Sequence, residues 1–369
     1  MLITLLIAHA LALPLLVERF DGAPVGWKER VASQNGGGPS SKYAVANGVI
    51  TFTATPATKK FLSFGKRVDL RGVEWLEVTA KLTATGVEGA APGVVCGVFL
   101  RFDTGQVVAT RECAPRQDEA PHRRHIAVPA GARDMEVGVW LGAAGAITVD
   151  DIVVESAVPD LKSLGRGRFQ YHWVGNDGFR EEQLESNDVR FGELAAFFGA
   201  PATLKLDYWK YADAPTLEAF TGDMRSYVAT DTAVHTLLRS DVRAMMAALS
   251  RGWGNPGPLF FEGLAVHLAG DWDGRDPRLS TRQAVNAGTA SSLAALLEPA
   301  KFAAEPPERA YTYAGAFVSW LVANKGAETV KACFGAVSAT ATPAANLAGL
   351  EKALGAPLSK IEADFRESL

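Results

Sequence analysis

Apolar and polar residues alternate in short runs along the first part of the chain, and the period then changes. From Glu18 to about Val158 the runs read "GVITFTAT", "FLSFGKRVDL", "EWLEVTAKLTAT", "GVVCGVFLRF", "GQVVATREC", "HRRHIAVPAG", "DMEVGVWLG" and "AITVDDIVVES", with turn residues between them. A period of two puts successive side chains on opposite faces of a strand, and no stretch here sustains a helical period. The pattern predicts an all-β sandwich over residues 15–158.

The segment "SAVPDLKSLGRGR" (156–168) is polar and punctuated by Gly and Pro, which predicts a linker over 159–168. Beyond it "FQYHWV", "TLKLDYW" and "AVHTLL" read as strands, and "REEQLESNDVRFGELAAFFG" as a helix with Leu184, Leu194, Phe197 and Phe198 inward. From Ser240 the apolar spacing is helical, over 240–250, 258–269, roughly 309–324, 326–336, 343–354 and 358–367. Strands followed by helices predict a mostly helical α+β domain over 169–369. The fold class is therefore multidomain, as the 369-residue length also requires.

Composition narrows the function classes. The chain is 48% apolar and 21% charged, with a formal net charge of −4, so it lacks the basic footprint of a nucleic-acid binder. The opening "MLITLLIAHALALPLLVERF" holds an apolar run shorter than the ~20 residues that cross a bilayer. Ala8 and Ala10, or Ala10 and Ala12, supply the small residues of a signal-peptidase site, so residues 1–14 read as a signal peptide, or else as a buried N-terminal element. No cysteine follows the run, and no membrane anchor is expected after cleavage. The mature protein is then expected to be periplasmic or secreted. In that compartment Cys96 and Cys113 fit a cross-strand disulfide: if Thr104 and Gly105 form a two-residue turn, they lie opposite each other. Two free thiols are the alternative, and Cys333 reads as core.

The opening "ERFDGAPVGWKERV" and the closing "ITVDDIVVES" of the sandwich resemble the first and last strands of carbohydrate-binding jelly rolls. That resemblance implies a glycan ligand and a structural calcium held by Asp21 or Asp151; two solvated turn carboxylates are the alternative. Trp27, Trp75 and Trp140 are the rings available to stack on a sugar, though Trp75 and Trp140 lie in alternating runs that fit core positions.

The most informative stretch is "RSDVRAMMAALSRGWGNPGPLFFEGLAVHLAG" (239–270). Together with "AYTYAGAFVSWLVANKGAETV" and "LGAPLSKIEADFRESL" it resembles the gluzincins, specifically peptidase MA-like proteins. In them a helix bearing His-Glu-x-x-His is followed by a helix whose glutamate is the third zinc ligand. The resemblance makes Glu262 that glutamate. With fourteen intervening residues the first motif falls on Arg243–Ala247, and with eighteen on Arg239–Arg243; the first fits the preceding "VHTLLRSD" better. Neither contains a histidine, and both put Arg243 at a ligand position. A guanidinium stays protonated and only donates, so it cannot bind a cation. Ala244 stands where the general base would be, and Ala247 where the second histidine would be. His267, five residues past Glu262, is turned about 140° away on a helix.

The implied site is a vestigial cleft of Arg243, Ala244, Ala247, Glu262 and Tyr313, with Tyr311 as second choice for the tyrosine. Arg243 is expected to pair with Glu262 where the metal would have been. No catalytic residue, zinc or other cofactor is expected, and the partner would be a peptide, protein or glycan. The competing readings are an unrelated α+β domain, in which Val242, Met245, Met246 and Leu249 are simply the stripe of a core helix, and an active hydrolase, either a metallopeptidase with atypical ligands or a glycosidase.

Overall fold

The structure, a computed structural model, describes residues 13–32, 42–54, 61–70, 72–85, 96–112, 122–141, 145–223, 225 and 227–369. It divides into two compact units. One is Met1–Leu161 with Ala212–Arg225, and the other is Lys162–Tyr211 with Ser226–Leu369.

The first unit is built on β1 (Pro14–Glu18), β2 (Lys28–Ala32), β3 (Lys42–Ala46), β4 (Val49–Ala54), β5 (Phe61–Asp69) and β6 (Trp75–Thr85). It continues through β7 (Cys96–Phe102), β8 (Val107–Glu112), β9 (His122–Ala127), β10 (Asp134–Leu141) and β11 (Gly145–Ser156). One antiparallel sheet runs β3-β4-β11-β6-β9 with β1 also on β11, and the other runs β2-β5-β10-β7-β8. After β4 the chain repeatedly crosses between sheets, the winding of a jelly roll. Ile50, Phe52, Leu76, Val78, Ile147 and Val149 of the first sheet meet Phe64, Val98, Leu100, Met135, Val137 and Val139 of the second in one buried core. Trp27 belongs to this core: it is stacked on Phe64 at 5.2 Å, and its indole N–H donates to Glu18 at 2.8 Å.

Two registers in the sandwich are reset by bulges. In "ITVDDIVVES" the apolar positions Val149 and Ile152 are three apart, which strict alternation cannot put on one face. The register against β6 shifts between Asp150 and Val153, and Asp151 takes a left-handed φ of 50°. Val149, Ile152 and Val154 are thereby all buried. The β7–β8 hairpin does not use the expected two-residue turn. Phe102 N–H donates to Gln106 across a three-residue loop in which Gly105 has φ 92°, the conformation that Gly adopts without steric cost. A bulge beyond Phe99 then restores the expected alignment, with Gly97 opposite Glu112. Cys113 lies outside the described residues, and with it the Cys96–Cys113 bond.

At the start of the chain, residues 1–12 lie outside the described residues. The expected signal-peptide boundary at residue 14 cuts into the sandwich. Leu13 exchanges hydrogen bonds with Ser156, and Pro14 opens β1 opposite Glu155.

The second unit opens with β12 (Leu161–Arg166), which occupies the segment read as a linker, and β13 (Phe169–Val174). Then come α1 (Glu181–Phe198), β14 (Leu206–Lys210), α2 (Ala214–Thr221), β15 (Tyr227–Ala229) and β16 (Ala233–Thr236). Its sheet runs β12-β13-β14-β16-β15, with β13, β14 and β16 parallel and α1 as the crossover between the first two. α2 belongs to the sandwich instead: Phe220 packs on Trp75 and His125, and buried Arg124 donates to the Ala219 carbonyl at 3.1 Å.

The remaining helices are α3 (Val242–Ser250), α4 (Pro258–Ala269), α5 (Pro277–Asn286), α6 (Leu293–Leu296), α7 (Pro299–Ala304), α8 (Pro307–Lys325), α9 (Ala327–Ala336), α10 (Pro343–Leu354) and α11 (Leu358–Glu367). Their starts are written in the sequence. Asp241, Asp276, Ser292 and Thr342 cap the first turn of α3, α5, α6 and α10 with their side chains, and proline sits at or next to the first position of α4, α5, α7, α8 and α10. α1 and α3 cover one face of the sheet, burying Phe191, Leu194, Ala244 and Met245 against Tyr171, Tyr208 and Val234. α4 and α8 form the centre of a second core with Phe260, Leu264, Phe317, Val318, Phe334 and Phe365. They cross where glycines remove bulk: a β-carbon on Gly263 would lie 2.6 Å from the Ala314 carbonyl oxygen, and one on Gly315 would strike Val266.

Candidate functional site

The stretch singled out in the sequence folds as two consecutive helices whose side chains meet. Asp241 caps α3 by accepting from Ala244 N–H at 3.0 Å, and Thr236 at the end of β16 holds its other oxygen at 2.5 Å. That anchor fixes the first turn of α3, so that Arg243 and Ala247, four residues apart, share its partly exposed face while Ala244 is fully buried. α4 begins after Gly257 with Pro258, which places Glu262 in its second turn facing α3.

Arg243 Nη2 donates to Glu262 Oε1, joining the two helices. The carboxylate is the more enclosed partner, its side chain 11% exposed against 41% for the arginine. Two rings flank the guanidinium: its carbon lies 5.6 Å from the centroid of Tyr227 and 5.9 Å from that of Tyr311. Cation–π attraction of this kind adds about 0.5–1 kcal/mol at a partly exposed site. Burial pushes the Glu262 carboxyl above the usual carboxylate range, against the pull of Arg243. Burial works against the Arg243 charge too, but Glu262, Tyr227 and Tyr311 outweigh it and raise the guanidinium further. Burial, and then the charge of Glu262, raises the Tyr311 hydroxyl.

The tyrosine at this site is Tyr311, not Tyr313. Two residues apart on α8 they point about 200° apart, to opposite sides of the helix. Tyr313 is 3% exposed; its hydroxyl lies 3.3 Å from Glu362 and accepts from Arg366 at 3.2 Å. Burial and Glu362 push it up to about 12. The sequence offered a signal for this: Tyr311 lies four positions before Gly315 and so shares the side of α8 that crosses α4.

The other histidines and the last cysteine are elsewhere. His235 on β16 lies between the rings of Trp209 and Tyr211, bonded to the Tyr211 hydroxyl at 2.8 Å. His267 pairs with Ser319 at 3.0 Å on the far side of α4 from Glu262. Cys333 is buried in the helical core, and burial pushes its thiol up to about 12.

Among the described residues no group of three or more His, Cys, Asp or Glu is placed to hold a metal ion. The Arg243–Glu262 pair does not fit zinc: its one carboxylate is already neutralised by a fixed cation that would repel another. In the sandwich, Asp151 sits at the bulge of β11, and Asp21 lies 3.4 Å from where a β-carbon on Gly48 would be.

The sandwich carries a polar groove on the outer face of the second sheet, about 350 Å³ in volume, lined among others by Lys28, Arg67, Arg101, Asp134 and Glu136. Gly65 of β5 also lines it, and its partner across the ladder is Gly138 of β10. Glu136 lies over the first and Phe99 over the second. Glu136 pairs with Arg101 at 3.7 Å, and Arg67 with Asp134.

No family model matches the chain, and no curated protein matches it. Among solved structures, a CBM4 carbohydrate-binding module is 18% identical over 38% of this chain and 97% of its own, with a TM-score of 0.29. The CBM22-1 xylan-binding domain of Paenibacillus barcinonensis Xyn10C is 15% identical over 40% and 97%, with a TM-score of 0.27. The tailspike protein 4 enzymatically active domain of bacteriophage CBA120 is 14% identical, and the match covers 37% of this chain but only 20% of that one, with a TM-score of 0.27.

Proposed function

We propose that this is an exported, non-catalytic binding protein, in which a peptidase-like helical domain has exchanged a metal site for a salt bridge and a β-sandwich supplies a glycan-binding module. The observation that carries the reading is the Arg243–Glu262 pair. It occupies the one carboxylate that a gluzincin-type site would offer a metal, on the helix face shared with Ala247. The outer edge of the guanidinium, between Tyr227 and Tyr311, suits a peptide carbonyl or carboxylate, or a sugar hydroxyl. The groove of Lys28, Arg67, Arg101, Asp134 and Glu136 offers paired donors and acceptors of the kind that bind sugar hydroxyls. Export rests on the apolar opening of the chain. Among the described residues no helix is long and apolar enough to cross a membrane.

Metal analysis of the purified protein tests the first part, with no stoichiometric zinc expected; one zinc per chain would overturn it. Because Ala244 is fully buried, a glutamate there would disrupt the fold. The variant to build is therefore Arg243→His with Ala247→His, leaving Glu262 as third ligand. Zinc binding by this double variant is the expected result, and its absence from a folded variant would remove the peptidase-like part of the reading. Affinity electrophoresis in gels containing xylan or mannan tests the sandwich: retardation that Glu136→Ala removes is expected, and no retardation by any glycan would withdraw the glycan.

A further inference from the structure

On the side of α4 away from Glu262, the helices α4, α5, α8 and α11, with Ser368 and Leu369, line an open cavity of about 550 Å³. Small-molecule sites have this size, and they combine an apolar lining with a few converging polar groups. Val266, Ala316 and Phe365 give it apolar walls, and Trp320 offers a half-buried indole. His267 and Ser319 form its polar inner wall and are bonded to each other, while the start of α5 contributes Asp276, Pro277 and Arg278 at the exposed rim.

The charges at the rim are not equivalent. One oxygen of Asp276 accepts from Leu279 N–H at 2.9 Å, so its carboxylate is turned into its own helix as the cap. Arg278 spends one donor on the Ser368 carbonyl at 2.6 Å and keeps the rest of its fork. Burial lowers the His267 imidazole, which leaves it neutral near pH 7, a polar but uncharged contact. The unspent donors of Arg278 suit a carboxylate at the rim beside the capped Asp276, and the walls suit an apolar body inside.

We propose that this cavity binds a small apolar carboxylic acid, its ring or branched body against Trp320 and its carboxylate at Arg278. The test is a fluorine-NMR titration of the full chain with 4-fluorophenylacetate, and with 4-fluorophenylacetamide as its neutral twin. The acid should bind saturably and about tenfold more tightly than the amide, the worth of one charge-assisted contact. Arg278→Gln, at an exposed position, should abolish that preference while leaving the amide unchanged. Ala323→Trp, also exposed and lining the cavity, should weaken both at least tenfold by filling it. Failure of either probe to saturate at millimolar concentration would overturn the proposal, as would equal affinity of acid and amide or indifference to Ala323→Trp.

Discussion

Arg243 and Glu262, nineteen residues apart in sequence, are joined guanidinium to carboxylate across α3 and α4, with the acid nearly enclosed and the base half in water. The asymmetry decides which partner depends on the other. Removing the arginine strands a buried charge, whereas removing the acid leaves a cation that already reaches solvent.

Arg243→Ala is therefore expected to destabilise the protein by ~2 kcal/mol, a buried-pair cost discounted for the exposed arginine. Adding Glu262→Gln should recover roughly half of this loss, because no uncompensated charge remains. Urea denaturation of the two singles and the double closes the cycle. A double variant less stable than Arg243→Ala would contradict the pairing.

Gly263→Ala should cost ~1–3 kcal/mol, because its β-carbon would meet backbone that cannot rotate away. Gly252, where a β-carbon meets nothing within 4 Å, is the control, and its alanine variant should stay within about 0.5 kcal/mol of the parent. Thermal melting of both variants makes the comparison. A neutral Gly263→Ala would mean that α4 and α8 are less tightly crossed than described.

Stability should fall on acidification between pH 6.5 and about 4. Burial first, and then the neighbouring His172, lower the His235 imidazole from 6.5 to about 4, so in this window the unfolded chain binds a proton that the folded one refuses. At most about 3 kcal/mol is present above pH 6.5 and lost as pH drops through the interval. Glu262 runs the other way: with its folded pKa raised, its contribution is complete at low pH and lost as pH rises through the raised value. Urea midpoints across this range for the parent and His235→Gln isolate the first effect. Equal slopes would refute it.

The proposed Cys96–Cys113 disulfide predicts one free thiol, Cys333, in denatured unreduced protein. Closing so short a loop is worth ~3 kcal/mol against the unfolded chain. Three titratable thiols would remove the bond and weaken the argument for export.

Period and punctuation made much of this fold legible. The helices α3, α4, α9, α10 and α11 fall within a residue or two of the ranges read from apolar spacing. α5 is hardly legible in the sequence, because "PRLSTRQAVN" is polar on nearly every face and buries only Thr281; its sole signals are the Asp276 cap and Pro277. α2 is illegible for another reason: its partners Trp75 and His125 lie far upstream, and no local pattern reports a long-range contact. At the site, the expected pairing of Arg243 with Glu262 came from the gluzincin resemblance and its motif spacing, not from helical period. The choice between Tyr311 and Tyr313 required knowing which side of α8 faces α4, which depends on the Gly263 and Gly315 crossing.

The excursion that sends α2 back to the sandwich has a consequence for the order in which the chain can fold as it is synthesised. Domains ordinarily complete themselves in turn as they leave the ribosome. Here the first domain is still missing a piece when Leu161 emerges, because Phe220 and the Ala219 carbonyl that meets Arg124 have not been made. By the time Arg225 is available, β12, β13, α1 and β14 of the next domain are already out. The nascent sandwich must therefore wait with its β9 flank uncovered while its neighbour begins to form, and a ribosome stalled between Leu161 and Arg225 would release a sandwich open on that side.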